Sequence, residues 1–457
     1  LFSLDRAPGW DEAIYLSQVT PGAEPLLFAP SRARGITFLV APILGLGGSV
    51  SQVRLLLVLA STAALIACFR MWVPVLGRAA PSAALVFAAS WPALFYGSEV
   101  MPNLWAAFPG VAACALLARR LTTGYGRYDE LVAGGLVALM ALVRPLDALV
   151  LTVVLVVAPV LLRRGSFVWA SLVSLGLLAG WAPWLVEMGG RFGGPLAALE
   201  AAARVGHTGG LSLMENVRQY LALSDGPTAG PFANPHVPIV GMLWLAGLTV
   251  LLVLGILEAA RRDHPATAVV PTVAGIALAA EYVVFTAVPA PRFLLPGLGL
   301  LSIPAGLGLE RLLEGILHPS STSRPRMVGA FAAVIVVTAW TASQLEVATK
   351  IETGVVGHRD AAERAGAEVR RLRRNQPCQV FSSASYPMVG YASGCRASPM
   401  ESAAGRWQDR AIRVEREGIR PFAVFEGEQA PAPPAGTSAV ADVPAERGRT
   451  WFIFVLG

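Results

Sequence analysis

Lysine is almost missing from this 457-residue chain: Lys350 is the only one, so nearly all of its 36 basic residues are arginine. Charge of either sign is scarce, at 14% of residues, against about a quarter in soluble domains. That excludes a chain wetted on all sides. The five histidines and four cysteines include no HExxH pair and no cysteine with a close Cys or His partner at zinc spacing, which argues against a zinc centre. A P-loop and a GxSxG elbow are also missing, leaving a soluble nucleotide-driven mechanism without support. The net charge of +6 is spread through short loops, the way membrane proteins set their topology, and predicts no nucleic-acid partner.

What is present is apolar length. Hydrophobic residues make up 54% of the chain and mean hydropathy is +0.58. Runs of about 18–22 apolar residues cross a bilayer as helices. Spans are expected at roughly 53–76, 80–97, 103–121, 131–143, 146–162, 167–186, 238–259, 266–288, 293–313 and 327–345. The pair 131–143 and 146–162 is short and interrupted by Arg144-Pro145, which suggests two half-length or tilted helices meeting at a polar point. Ile36 to Leu46 is apolar but too short to span and fits an interfacial helix. Leu1-Phe2-Ser3-Leu4 reads like the tail of a further span preceding the chain. Abundant Ala, Gly and Val point to a high-GC bacterial genome and hence a bacterial plasma membrane.

Alternating the spans sorts the charges. One set of loops holds Arg78; Arg119, Arg120 and Arg127; Arg163 and Arg164; Arg261 and Arg262; and Arg311, Arg324 and Arg326. The other holds Asp11, Glu12, Glu99, Arg144, the 187–237 loop and Arg292. Arginine collects on the cytoplasmic side, so the second set is expected outside. The long 187–237 loop carries His207 and His236, an expected amphipathic helix around Leu211–Leu223, and a length that marks a functional or unstructured segment.

Composition changes near residue 346. Residues 1–345 read as the membrane domain and 346–457 as a small external α/β domain. It has a charged helix over His358–Arg374, strands at Cys378–Ser382, Pro421–Phe425 and Trp451–Val455, and helices at Ser385–Ala392 and Glu401–Glu417. Cys68 and Cys114 lie within apolar spans as small packing residues. Cys378 and Cys395 fall in the external domain, where oxidising conditions favour a disulfide.

Acidic pairs beside membrane spans are costly, which singles out Pro8-Gly9-Trp10-Asp11-Glu12-Ala13-Ile14-Tyr15. Asp11 reads equally as an N-cap or as a catalytic base, with Glu12 favouring the helix dipole. Glu99, in a tight connection between spans, reads as a solvated loop residue or as a second acid in the same cavity, able to serve as a cation or sugar ligand. Arg144 suits an ion pair with Asp147 or a lipid phosphate. Arg292, in Pro291-Arg292-Phe293-Leu294-Leu295-Pro296, suits an interfacial anchor or phosphate binding. His236 is a weaker external candidate.

In this order and on this face, these residues resemble the GT-C fold glycosyltransferases, the group with protein O-mannosyltransferases and lipid A aminoarabinose transferases. The family's Asp-Glu at the start of a juxtamembrane helix is matched by Asp11-Glu12-Ala13-Ile14-Tyr15. Its second interfacial segment is matched by Arg32-Ala33-Arg34-Gly35-Ile36 through Leu46-Gly47, and the arginine opening the next span by Arg54. Arg144-Pro145 and Arg292-Phe293-Leu294-Leu295-Pro296 match later basic motifs. The family's second acid falls in Tyr96–Asn103, where some members carry Asp at the place of Asn103. The resemblance covers about residues 5–310.

It implies an α-helical polytopic GT-C-like bundle with juxtamembrane helices; the external α/β domain lies outside the resemblance. It implies an inverting enzyme that moves a sugar from a polyprenyl-phosphate donor to a glycan, lipid or protein acceptor outside the membrane. Asp11 and Glu12 would be the catalytic residues, Asp11 as base. Tyr15, Glu99, Asn103, Arg144, Arg292 and His236 would bind substrate, and Glu99 is the candidate ligand for a divalent cation. The rival readings are a transporter or flippase, which would carry charge at mid-membrane depth in repeated halves, and a non-catalytic scaffold displaying the external domain.

Overall fold

The computed structural model describes residues 3–456 apart from 125, 206–212, 214–215, 218–219, 221–238, 286–288, 318–323, 384, 402–405, 430, 432–436 and 446–447. His207 and His236 lie outside the described residues, as does most of the helix expected around 211–223. Two short helices lead: α1 (Trp10–Ser17) and α2 (Gly35–Gly45). The bundle follows as α3 (Val50–Arg70), α4 (Val73–Leu76), α5 (Ala79–Ala88), α6 (Trp91–Tyr96), α7 (Pro102–Thr122), α8 (Asp129–Val143), α9 (Pro145–Leu161), α10 (Phe167–Phe192), α11 (Pro195–Val205), α12 (Ile239–Arg261), α13 (Ala266–Phe285) and α14 (Leu295–Leu317).

Among the described residues, six helices are long and apolar enough to cross a membrane: α3, α7, α10, α12, α13 and α14 with the 3-10 turn Pro291–Leu294 that precedes it. Leu59, Ile66, Leu139, Val153, Leu175 and Ile276 leave their side chains exposed on these and neighbouring helices, an apolar surface that only lipid or a partner covers well.

Three expectations need correction. The span expected at 80–97 is two helices, broken at Ser90, whose extended backbone and the following Pro92 start a new helix instead of extending the old one. The 187–237 loop is helical in its first part, since α10 runs on to Phe192, is stopped by Gly193 at φ 80°, and α11 follows. The span expected at 327–345 and the charged helix expected at 358–374 are one 49-residue helix, α15 (Arg324–Leu372). No proline lies between Pro325 and Pro377, so a change of composition at residue 346 alters what the helix faces without ending it.

Helices pack through glycine where backbones nearly touch. A Cβ on Gly176 of α10 would sit 2.0 Å from the Gly134 carbonyl oxygen of α8, and one on Gly180 2.2 Å from that of Ala138. The four-residue spacing of Gly176 and Gly180 is a membrane helix-pairing pattern. Connectivity then separates the charges by helix end. Arg120–Glu130 at 2.9 Å joins α7 to α8, and Arg262–Glu310 at 3.5 Å joins α12 to α14, with Arg262–Glu258 at 2.9 Å beside it. Asn103, Arg144 and Arg292 belong to the opposite ends of α7, α8 and α14.

Beyond α15 the chain forms a five-stranded sheet in the order β2-β1-β3-β5-β4: β1 (Cys378–Ser382), β2 (Arg396–Pro399), β3 (Arg420–Gly427), β4 (Thr437–Pro444) and β5 (Thr450–Leu456). The β1–β2 and β1–β3 pairings are parallel, and β5 runs antiparallel to β3 and β4. Helices α16 (Tyr386–Ser393) and α17 (Trp407–Arg416) complete it. The expected disulfide joins Cys378 to Cys395 with Cα atoms 5.0 Å apart, tying β1 to the end of α16. Replacing both cysteines by serine should lower the stability of this sheet by roughly 3 kcal/mol. Denaturant unfolding followed at Trp451, in β5, measures it, and an unchanged midpoint would show the bond to be dispensable.

Candidate active site

The site is built on α1. Its N-cap is Gly9, not Asp11, so the Asp11 side chain is free of capping duty and projects from the first turn. Glu12, one residue on, returns its carboxylate to the Gly9 amide at 2.9 Å, the acidic half of a capping box. Consecutive residues on a helix point about 100° apart, and the two acids enter different surroundings.

Asp11 lies between two arginines. Arg32 Nη2 donates to its Oδ1 at 2.5 Å and Arg292 Nη2 to its Oδ2 at 2.7 Å. Its side chain keeps 14% exposure, and those of Arg32 and Arg292 keep 16% and 19%, so the cluster opens to solvent. Burial alone would raise the Asp11 carboxyl, but Arg32, Arg292 and Arg144 outweigh it and hold it below the ordinary aspartate range. Arg32 is fixed over the rings of Trp10 and Tyr15, at 5.6 and 5.2 Å. Tyr15 is buried, edge-on to Phe28 at 5.7 Å.

Arg144 joins from the break between α8 and α9. Pro145 cannot continue α8, and the backbone of Arg144 is extended (φ −142°, ψ 89°). Its Nε donates to Asp147 Oδ1 at 3.3 Å, and its Nη2 to the Tyr282 hydroxyl, which in turn donates to Asp147. The Tyr282 and Phe293 rings stack at 4.9 Å, and the Arg144 guanidinium lies over both. Arg292 lies over Phe293 at 4.8 Å. Aromatic faces orient both cations while leaving donors free for a ligand.

Glu12 and Glu99 form a second cluster, closed to solvent. Glu12 accepts from the amides of Gly9 and Val100, both at 2.9 Å, from Arg54 at 2.9 Å and from Arg359 at 3.2 Å. Glu99 accepts from Arg6 at 2.7 and 3.0 Å and from Arg359 at 2.8 Å. Burial would raise Glu99, but Arg359, Arg6 and Arg54 hold it well below the usual carboxylate range. Arg359 approaches so closely that a Cβ on Gly9 would be 2.6 Å from its Nη2.

Asp11, Tyr15, Arg144 and Arg292 are thus brought together, while Glu12 and Glu99 are turned to a neighbouring ion cluster. Asn103 is buried in the first turn of α7, its amide nitrogen without a partner among the described residues. Among those residues no three His, Cys, Asp or Glu side chains gather as a metal site. Arg32, which the sequence marks only as part of the Arg32–Gly35 string, is the first neighbour of Asp11. Arg359 had no local signal: it reaches Glu99 across 260 residues.

A groove of about 360 Å³ runs between α2, α3, α7 and α8, lined from Gly35 and Ile36 to Ala112, Leu139 and Val143 and nearly all apolar; Gly35 follows Arg34 and Val143 precedes Arg144 in the chain.

No protein-family model and no curated protein matches this chain. Solved structures do. ArnT from Cupriavidus metallidurans bound to undecaprenyl phosphate superposes with a TM-score of 0.66 at 15% identity, covering 99% of this chain and 95% of that one. The same protein in its apo state gives 0.62 at 13%, covering 99% and 94%. The Archaeoglobus fulgidus oligosaccharyltransferase, in complex with Zn and sulfate, gives 0.51 at 12%, covering 92% of this chain and 64% of that one. The architecture is the GT-C fold of membrane glycosyltransferases, a helical bundle with a small C-terminal sheet domain.

Proposed function

We propose that the chain is an inverting glycosyltransferase that takes a sugar from a polyprenyl-phosphate donor and passes it to an acceptor hydroxyl on the external side of a bacterial plasma membrane. The observation that carries this reading is the placement of Asp11. A partly open carboxylate, held ionised by arginines, stands beside further arginine donors, and an apolar groove lies between the helices α2, α3, α7 and α8. The fold match to an undecaprenyl-phosphate complex supports the donor class.

Each requirement of the chemistry has a group to meet it. The prenyl tail needs apolar surface, which the groove supplies. The leaving phosphate needs cations, and Arg292 and Arg144 meet it from one side, with Arg292 exchanging the Asp11 carboxylate for phosphate oxygens as the donor seats. That exchange frees Asp11 Oδ2 to take the acceptor proton as the acceptor oxygen attacks the anomeric carbon opposite the phosphate. Attack from that face inverts the anomeric configuration. Tyr15 positions Arg32, and Asn103, whose buried amide nitrogen has no partner among the described residues, is the donor we assign to the sugar. Glu12 and Glu99 hold the frame on which Asp11 is carried. On this reading the acids read from the sequence as a catalytic pair divide into one base and one structural anchor.

The test is release of polyprenyl phosphate from a polyprenyl-phosphate sugar in proteoliposomes. Arg292→Gln and Arg144→Gln should each lower kcat/KM by about 10²–10³-fold, the usual loss of a charge-stabilising donor. Release unchanged in both would contradict the phosphate assignment.

A further inference from the structure

The mechanism above leaves unused one group of reactive side chains, on the C-terminal sheet domain. Ser385 stands between the end of β1 and the start of α16, the strand–turn–helix position that presents a nucleophile in many hydrolases. A serine in an N-cap place ordinarily spends its hydroxyl on the helix amides. Ser385 makes no such cap. Its Oγ lies 3.3 Å from His358 Nε2 instead. The other ring nitrogen, Nδ1, faces Glu426 Oε1 of β3 at 3.6 Å. Glu426 is also held by Arg449 at 3.0 Å, and these two partners keep its carboxyl low. The His358 ring leans on the buried indole of Trp451 at 6.0 Å.

Helix α15, the turn that opens α16 and strand β3 therefore bring an imidazole, an alcohol and a carboxylate together. We infer that Ser385, His358 and Glu426 form a second active centre that cleaves short-chain carboxylic esters by a serine acyl-enzyme route. A base within reach of the hydroxyl and an acid fixing the base's tautomer are the requirements for an activated serine, and apo spacings of this kind tighten when the imidazolium forms. A third requirement is a place for the oxyanion. The first-turn amides of α16, on Tyr386 and Met388, have no acceptor within their own helix and follow Ser385 directly in the chain.

The step balances without any other reagent. Ser385 Oγ bonds to the ester carbonyl carbon while its proton passes to His358 Nε2. The tetrahedral intermediate collapses, the C–O bond to the alcohol breaks, and the alcohol leaves with the proton from His358. Water then attacks the acyl-serine, gives its proton to His358, and releases the carboxylic acid as Ser385 regains its hydrogen. Burial sets the substrate size: Ser385 is 3% exposed while the His358 side chain is 41% exposed. A small acyl group can enter past the imidazole, and a fatty chain has no described channel to occupy. Tyr386 meets Trp10, the neighbour of Asp11, ring to ring at 5.8 Å, so the ester site adjoins the mouth of the transfer site but does not depend on its assignment.

The experiment uses the full-length protein in detergent with a fluorophosphonate probe and with p-nitrophenyl acetate. The probe should label the wild type on a peptide containing Ser385, and Ser385→Ala should abolish labelling. His358→Ala should lower acetate release by about 10²-fold or more, the usual loss of a general base. Sugar transfer by Ser385→Ala should stay at the wild-type level, which shows that variant to be folded. No labelling of the wild type, or labelling that survives in Ser385→Ala, would overturn the assignment.

Discussion

Asp11→Asn should lower sugar transfer by about 10²–10⁴-fold, the range over which a positioned general base contributes. The asparagine keeps the size of the side chain and one acceptor oxygen, so one of Arg32 and Arg292, which bind different carboxylate oxygens, retains its partner and the other faces the amide NH2. What it loses is the capacity to take a proton. Binding of the polyprenyl phosphate should persist or tighten, because Arg292 no longer has a competing carboxylate. A melting temperature near that of the wild type, together with retained lipid binding, would separate this loss from misfolding. The pH profile adds a sign. Since its arginines hold Asp11 below the ordinary range, the carboxylate stays charged as pH falls, and transfer should remain level down to about pH 5, roughly one unit above the ordinary aspartate value. An acid limb centred near neutrality would mean that another group is the base.

Glu99→Ala should cost about 3–5 kcal/mol of stability, the penalty for leaving a buried charge without its partner. Arg6 and Arg359 both direct their guanidinium groups at Glu99, and the Arg6 side chain is fully buried. Glu12 already accepts from two amides, Arg54 and Arg359, and Glu352 reaches Arg6 only at 3.6 Å, so removing Glu99 leaves the cluster with an excess of buried positive charge. Against a total of about 5–15 kcal/mol for a typical folded domain, this is a large share. Thermal unfolding in detergent would show it, and an unshifted midpoint would mean that water reaches the cluster. Transfer should fall as well. Arg359 links α15 to Glu12 on α1, and α1 carries Asp11, so loosening one cluster moves the other.

Much of this arrangement was legible in the sequence, for physical reasons that also explain what was hidden. Uninterrupted apolar length marked α7, α12 and α13, and Arg144-Pro145 marked the break between α8 and α9 because proline cannot continue a helix. The pairing of arginine loops at one end of the bundle followed from charge alone. The break at Ser90 was masked by apolar residues on both sides, although Pro92 signalled it. The continuity of α15 was hidden because a drop in hydropathy resembles a domain boundary, while only a helix breaker ends a helix. At the site, Asp11, Arg144 and Arg292 stood out as charges beside apolar spans. The different surroundings of Asp11 and Glu12 did not, since they depend on Arg54, Arg359 and Val100, which are distant in the chain. A buried ion cluster has no period and no motif.

In the proposed transfer reaction, Arg144 and Arg292 receive the phosphate of a prenyl-linked donor beside Asp11. The most direct measurement is an electron cryomicroscopy map of the protein with undecaprenyl phosphate. Phosphate density within hydrogen-bond distance of both guanidinium groups, with the chain running into the groove lined by Ile36, Ala112 and Val143, is the predicted result. Phosphate bound elsewhere, with Arg292 still paired to Asp11 and the groove empty, would contradict it.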